Sequence, residues 1–174
     1  VALLYGEAYM EVSSSLSVGG VPFKVLAEKQ EISVLGTEFN VQAFKNEAEI
    51  KTTLVGGKIE IFTENDKRVL KPNDQAIVQK DNKNIAVRKV DALNEVSWVK
   101  GVLTFEEETL LEITQKLSRL YNVEFFFESS DKTEITFSAV LKRTESIEDI
   151  LELIEISGEN EIDFEFKENV IIVK

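Results

Sequence analysis

Between residues 38 and 44 polar and apolar side chains alternate. Phe39, Val41 and Ala43 fall on one side, and Glu38, Asn40 and Gln42 on the other. A period of two predicts a half-buried strand. Gly36, just ahead of it, marks a bend or bulge. Similar short runs predict strands over residues 7–12, 23–27, 32–35, 50–55, 58–62, 75–79 and 85–90. Turn chemistry separates them. Ser13-Ser14-Ser15, Gly19-Gly20 and Pro22 read as a loop, and the polar residues 28–31 and 45–47 as connections. Gly56-Gly57, Asn65-Asp66 and Lys71-Pro72-Asn73-Asp74 read as hairpin turns, with residues 81–84 joining the last two strands. No stretch up to residue 90 sustains a 3.6 period. The prediction is an all-β half with two twisted antiparallel sheets over one core.

The period then changes. After a short strand at 102–105, Thr109 and Glu112 have the spacing of a capping box, in which a hydroxyl and a carboxylate satisfy free amides at a helix start. Glu106, Glu107 and Glu108 precede it, where negative charge suits the positive helix end. Leu110, Ile113, Leu117, Leu120 and Tyr121 form the apolar stripe, and Asn122 suits a left-handed close. A strand follows at 123–128. The order repeats: an extended run at 134–141, Ser146 and Asp149 at a second helix start, Gly158 at its end, then strands at 162–166 and 170–173. Ile147, Ile150, Leu151, Leu153, Ile154 and Ile156 cover more than half of the second helix, which predicts packing between two layers. The second half therefore reads as two β-α-β units and a last strand, with both helices between small sheets.

Charge sharpens the division. Residues 1–94 carry 12 basic and 13 acidic side chains, a net of −1, whereas residues 95–174 carry 8 and 19, a net of −11. A step of that size predicts two domains, 1–94 and 98–174, meeting near Trp98. The whole-chain charge of −12 speaks against nucleic acid, whose phosphates need clustered Lys and Arg. An acidic surface of this kind is either a solvated face or a docking face. With 43 % hydrophobic residues, the chain can bury a core. No apolar run approaches the ~20 residues of a membrane span, and the start lacks a basic-then-apolar signal, so the sequence as it stands is expected to be soluble.

Candidate chemistry is sparse. There is no cysteine and no histidine, which removes disulfides, thiol catalysis and the commonest general base and zinc ligand. No phosphate-binding glycine loop or nucleophile elbow occurs. Glu7 and Glu11 could pair as glycosidase carboxylates, but four residues apart on a strand they merely share a face. Asp163, Glu165 and Glu168 lack the spacing of a calcium loop. Trp98 reads as a buried plug or a sugar-stacking platform. No catalytic residue, metal or cofactor is expected.

One surface feature stands out. In residues 123–128 the alternation sends Val123, Phe125 and Phe127 toward the helices and leaves Phe126 outside, between Glu124 and Glu128. Opposing strands are expected to add Asp163 and Glu165. Phe126 then either anchors an interface on an acidic face or packs against the first domain or a loop.

Five stretches resemble the FecR family, the periplasmic part of anti-sigma regulators in cell-surface signalling. They are Leu3-Leu4-Tyr5-Gly6-Glu7-Ala8-Tyr9-Met10-Glu11-Val12, Val21-Pro22-Phe23-Lys24-Val25 and Val34-Leu35-Gly36-Thr37-Glu38-Phe39-Asn40-Val41. Thr53-Leu54-Val55-Gly56-Gly57-Lys58-Ile59 and Leu70-Lys71-Pro72-Asn73-Asp74-Gln75-Ala76 complete them. Trp98-Val99-Lys100-Gly101-Val102-Leu103-Thr104-Phe105 and the two β-α-β units resemble the short N-terminal domain of secretins and TonB-dependent receptors. Gly57 stands where the family tends to have Glu, and Asn73-Asp74 where it tends to have Gly-Glu. The family pattern also begins one or two strands before Val1.

The resemblance implies a sensor in the periplasm, with a membrane helix and a sigma-factor-binding tail outside these 174 residues. Its implied partner is the signalling domain of a TonB-dependent outer-membrane transporter of an iron chelate or glycan. The sigma factor would be of the extracytoplasmic-function class, and no catalysis is implied. A carbohydrate- or small-ligand-binding β module and an enzyme using only carboxylates remain the competing classes.

Overall fold

The computed structural model describes residues 2–3, 5–13, 22–158 and 161–174. The loop expected at 13–22 lies mostly outside them. The chain divides into two compact units, Val1–Val99 and Lys100–Lys174. The architecture is mainly β in the first and α+β in the second.

The first unit packs two five-stranded sheets over one core. One sheet holds β1 (Ala2–Leu3), β3 (Phe23–Ala27), β4 (Gln30–Val34), β7 (Ile59–Phe62) and β8 (Lys67–Leu70), in that order. The other runs β10 (Ile85–Lys89), β9 (Asp74–Gln79), β6 (Glu49–Gly56), β5 (Thr37–Ala43), β2 (Gly6–Val12). All neighbours are antiparallel except β1 and β3, a parallel edge pair that alternation alone does not distinguish. Phe39, Val41 and Ala43 point inward and are fully buried, with Ile50 and Leu54 of the adjoining strand and Ile32, Ile59 and Ile61 of the facing sheet. Burying each large aliphatic side chain contributes about 1.5–3 kcal/mol.

Two expected hairpins are absent. β6 and β7 flank Gly56-Gly57 but lie in different sheets, and so do β8 and β9 on either side of Lys71–Asp74. Both segments carry the chain across the sandwich. Glycine is needed at 57 because φ is +87° and a Cβ there would stand 2.5 Å from the Gly36 carbonyl oxygen. Gly36 is itself the crossing from β4 to β5, so the two crossings press backbone against backbone. Thr37 Oγ1 fastens them by donating to the Lys58 carbonyl at 3.0 Å. At the other crossing, the Lys71 N–H donates to Asp74 Oδ2 at 2.8 Å and the Asp74 N–H to the Lys71 carbonyl at 2.9 Å. The hairpin at Asn65-Asp66 does form, joining β7 to β8.

The expected polar connection 28–31 is also shorter in fact. Glu28 and Lys29 make the turn, and Gln30 already belongs to β4, buried and facing inward. Its amide donates to Thr52 Oγ1 of the facing sheet at 2.8 Å, a polar tie through the core. Nor is the polar side of β5 simply solvated. Asn40 is buried, in a row that runs Arg88, Gln75, Thr53, Asn40, Tyr9 across all five strands. The short helix α1 (Ala92–Glu95) lies against β6, and its Glu95 accepts from Gln75.

In the second unit β11 (Val102–Thr109) pairs with β13 (Thr136–Lys142), while β12 (Glu124–Phe127), β15 (Val170–Val173) and β14 (Phe164–Lys167) form a second sheet. Helices α2 (Leu110–Tyr121) and α3 (Ile147–Ser157) lie between the two. Each strand–helix–strand run thus starts in the two-stranded sheet and ends in the three-stranded one. Both capping boxes form, and Asn122 closes α2 in the left-handed region. Gly158 closes α3 with φ −83°, where a Cβ would stand in tight contact, 3.2 Å, with the Ile154 carbonyl oxygen. Ile147, Ile150, Leu151 and Ile154 are buried, but Leu153 and Ile156 are exposed, so the layers cover less of α3 than its sequence suggests.

Candidate functional site: the outer face of the three-stranded sheet

The site begins with the pleat of β12. Val123, Phe125 and Phe127 pack against the core of the second unit, and Phe125 meets Phe164 edge-on at 6.5 Å. Phe126 therefore points out, 61 % exposed. The register fixes its neighbours. Phe126 lies beside Ile172 and Ile172 beside Glu165; Glu124 lies beside Val170 and Val170 beside Lys167. Backbone bonds continue the pattern past the strand ends. The Glu128 N–H donates to the Val173 carbonyl at 2.9 Å, and Asp163 and Lys174 exchange N–H donors at 3.3 and 3.0 Å.

All five residues singled out in the sequence, Glu124, Phe126, Glu128, Asp163 and Glu165, thus occupy one face. The face is less acidic than those five imply. Lys167 and Lys174 stand on it, and Glu165 bridges both, at 3.0 and 2.5 Å. Lys174 first, then Lys167, holds the Glu165 carboxyl below its ordinary range, and Glu165 holds the Lys174 ammonium up. Glu124, Glu128 and Asp163 remain around an apolar ridge of Phe126, Ile172 and Val170. Val170 and Ile172 were not legible because Val170-Ile171-Ile172-Val173 is an unbroken apolar run whose faces only the register assigns. The signal that could have found them is the partner strand's alternation.

The face presents carboxylates and ammonium groups around an aromatic ring. It can supply an aromatic contact, charge steering and backbone hydrogen bonds. Residues 102–173, which span the whole of this sheet, match the family model described as FecR, C-terminal. Over its second unit the chain is thus similar to the FecR family. Two crystal structures of a candidate anti-sigma factor from Parabacteroides distasonis share its fold. Each is 26 % identical, with TM-scores of 0.81 and 0.79. They cover 98 % and 99 % of this chain, and 77 % and 79 % of their own lengths. No curated protein matches the sequence.

The other candidate residues lie elsewhere in the chain. Glu7 accepts from the Asn40 and Gln42 amides at 2.7 and 2.8 Å, which fixes it to β5. Glu11 lies opposite Glu38, at an open groove of about 500 Å³ that also includes Gly36, Gly56 and Gly57. Burial first, then Glu38 and Glu11, raises the Tyr9 hydroxyl above its ordinary pKa. Glu168 is exposed in the turn between β14 and β15. Among the described residues no three acidic side chains converge as a metal would require, and no helix is long and apolar enough to cross a membrane. Trp98 lies in a 3-10 turn, Ser97–Lys100, partly buried, with its indole Nε1 buried and without a hydrogen-bond partner.

Proposed function

We propose that this chain is the periplasmic sensor region of a transmembrane anti-sigma regulator. It receives a signal from the N-terminal signalling domain of a TonB-dependent outer-membrane transporter loaded with an iron chelate or glycan. It passes that signal to an extracytoplasmic-function sigma factor through a membrane helix and cytoplasmic region outside this sequence. In this reading residues 1–94 are the FecR-like domain and residues 98–174 the secretin/TonB-like domain that meets the transporter. The role is regulatory, by protein–protein contact without a cofactor or catalysis.

The observation that carries the reading is the coincidence of the FecR C-terminal match with an exposed aromatic ridge inside it. An aromatic anchor ringed by charge suits docking, since aromatic side chains concentrate binding energy while charges steer approach. The test is calorimetry against the signalling domains of the transporters of the same organism. Phe126→Ala is expected to weaken binding by about 2 kcal/mol or more and to leave the melting temperature almost unchanged. A large loss of stability with binding intact would place the partner elsewhere.

A further inference from the structure

The parallel ladder that joins β12 to β15 uses only every second residue of β12. Glu124 donates its N–H to the Asn169 carbonyl at 2.8 Å and Glu128 to that of Val173 at 2.9 Å. Backbone groups of successive residues in a strand point to opposite sides, so Phe126 also faces β15, and Phe125 and Phe127 turn their N–H and C=O groups away. β12 is the end of its sheet, and among the described residues no strand pairs with it on that side.

Two other edges of the second unit carry devices that discourage strand addition. β11 is bulged between Phe105 and Glu108, with Glu107 at φ +50°. On β14 the Phe164 N–H is already taken by the Glu155 carboxylate at 2.7 Å, and Lys167 ends the strand. β12, Glu-Phe-Phe-Phe, has no lysine, proline or bulge.

We propose that the free edge of β12 takes up an extended segment of a partner protein as a fourth strand, with basic residues on either side of an apolar one. This rests on the reading that a partner protein docks on this face, and it adds the mode and the chemistry. The added strand takes the outward amides and carbonyls of Phe125 and Phe127, which gives affinity independent of sequence. Its outward side chains then flank Glu124, Phe126 and Glu128, so the complementary order is basic, apolar, basic. A second copy of the chain fits poorly. Antiparallel β12 strands centred on Phe126 would set Glu124 against Glu128 twice, and like charges directly opposite are destabilising.

The probe is a capped heptapeptide, Thr-Lys-Val-Val-Val-Lys-Thr, titrated into the isotope-labelled full chain and read by amide exchange and chemical shift. The expected result is exchange slowed at least tenfold at Phe125 and Phe127, with affinity lowered at least tenfold by the Glu124→Lys/Glu128→Lys double substitution. The version with Glu in place of Lys, and one with its central amides N-methylated, should not bind. No shift at millimolar peptide, equal binding of the acidic version, or protection elsewhere overturns the inference. So does a concentration-dependent dimer that protects the same two amides, which would assign the edge to a second copy. If a transporter domain binds through Phe126 without protecting Phe125 and Phe127, the functional reading stands and the strand-addition mode falls. If no transporter domain binds but the peptide does, the reverse holds.

Discussion

The two units place their polar residues differently. In the first, Gln30, Thr37, Asn40, Thr52, Thr53, Asp74 and Gln75 are buried, whereas in the second Thr114 is the one buried polar side chain among the described residues. The second unit instead has an apolar core and carries most of the net charge outside. A buried polar group must be hydrogen-bonded or it costs stability, so the first unit is specified by a network as well as by packing. The second is specified by periodicity and caps. That leaves its surface free to vary toward a partner, while changes to the first unit's polar face disturb its own fold.

The sharpest way to break the comparison is to test packing and polarity on neighbouring residues of one strand. Phe39→Ala should cost about 3–5 kcal/mol, from lost burial and the cavity left behind. Glu38→Ala should stay within about 0.5 kcal/mol, because its side chain is exposed. Urea denaturation followed by the fluorescence of the single tryptophan, Trp98, measures both in the unit that contains them. Equal costs would mean that the sandwich does not depend on the inward face of β5.

The next test addresses the network. Gln75 donates to Thr53 Oγ1 at 2.8 Å and to Glu95 Oε2 at 3.0 Å, and accepts from Arg88 Nε at 2.9 Å. Gln75→Ala removes all three bonds under a buried surface, and about 2 kcal/mol or more should be lost. In the second unit Thr114 donates only to the Leu111 carbonyl of its own helix, at 3.0 Å. Thr114→Ala should cost under about 1 kcal/mol, since alanine also favours the helix. Similar losses would show that the first unit's polar residues are no more than tolerated.

The same contrast decides what was legible in the sequence. Thr109, Glu112, Ser146 and Asp149 announced two helix starts because capping is a local event, complete within four residues. Phe126 was placed outside by the alternation of its own strand. Gly56-Gly57 misled because positive φ at a glycine serves a crossing as well as a hairpin. The difference lies in Gly36, some twenty residues away, whose carbonyl leaves no room for a side chain. Gln30 and Asn40 looked solvated because polar type predicts exposure, and their partners Thr52 and Glu7 lie far off along the chain. Lys167 and Lys174 escaped notice for the same reason, being placed by register.

Acid should separate the units further. Burial works against the charged Asp74 carboxylate, yet the Lys89 ammonium at 2.7 Å and the Lys71 N–H outweigh it and hold its pKa below the ordinary value. A carboxylate depressed in the folded state contributes stability at neutral pH, and that contribution is lost as pH falls from the unfolded value, near 4, through the folded one. Denaturation of Asp74→Asn between about pH 5 and 2 should show a shallower acid loss than the parent chain. Glu165 is depressed too, but by lysines on an exposed face, where solvent screens the pair. Glu165→Gln should leave the acid limb nearly as it was, and a change as large as that of Asp74→Asn would place the acid-sensitive contacts in the second unit.

The smallest expected effect probes the local signals of the second unit. At α2 the box is tight: the Glu112 N–H donates to Thr109 Oγ1 at 3.2 Å, and the Thr109 N–H and hydroxyl donate to Glu112 Oε2 at 3.0 and 2.9 Å. At α3 the return bond is long, 3.4 Å from the Ser146 N–H to Asp149 Oδ2, with 3.1 Å from the Asp149 N–H to Ser146 Oγ. An N-cap hydroxyl is worth about 1 kcal/mol against alanine. Thr109→Ala should therefore cost about 1 kcal/mol and Ser146→Ala about half that, while glycine at either position should restore all but a few tenths. Helical circular dichroism during urea denaturation reads these changes in the unit that holds both long helices. If the order is reversed, or if glycine costs as much as alanine, the helix starts are held by the core beneath them, through Leu110 and Ile147, and the second unit is less locally encoded than its sequence suggests.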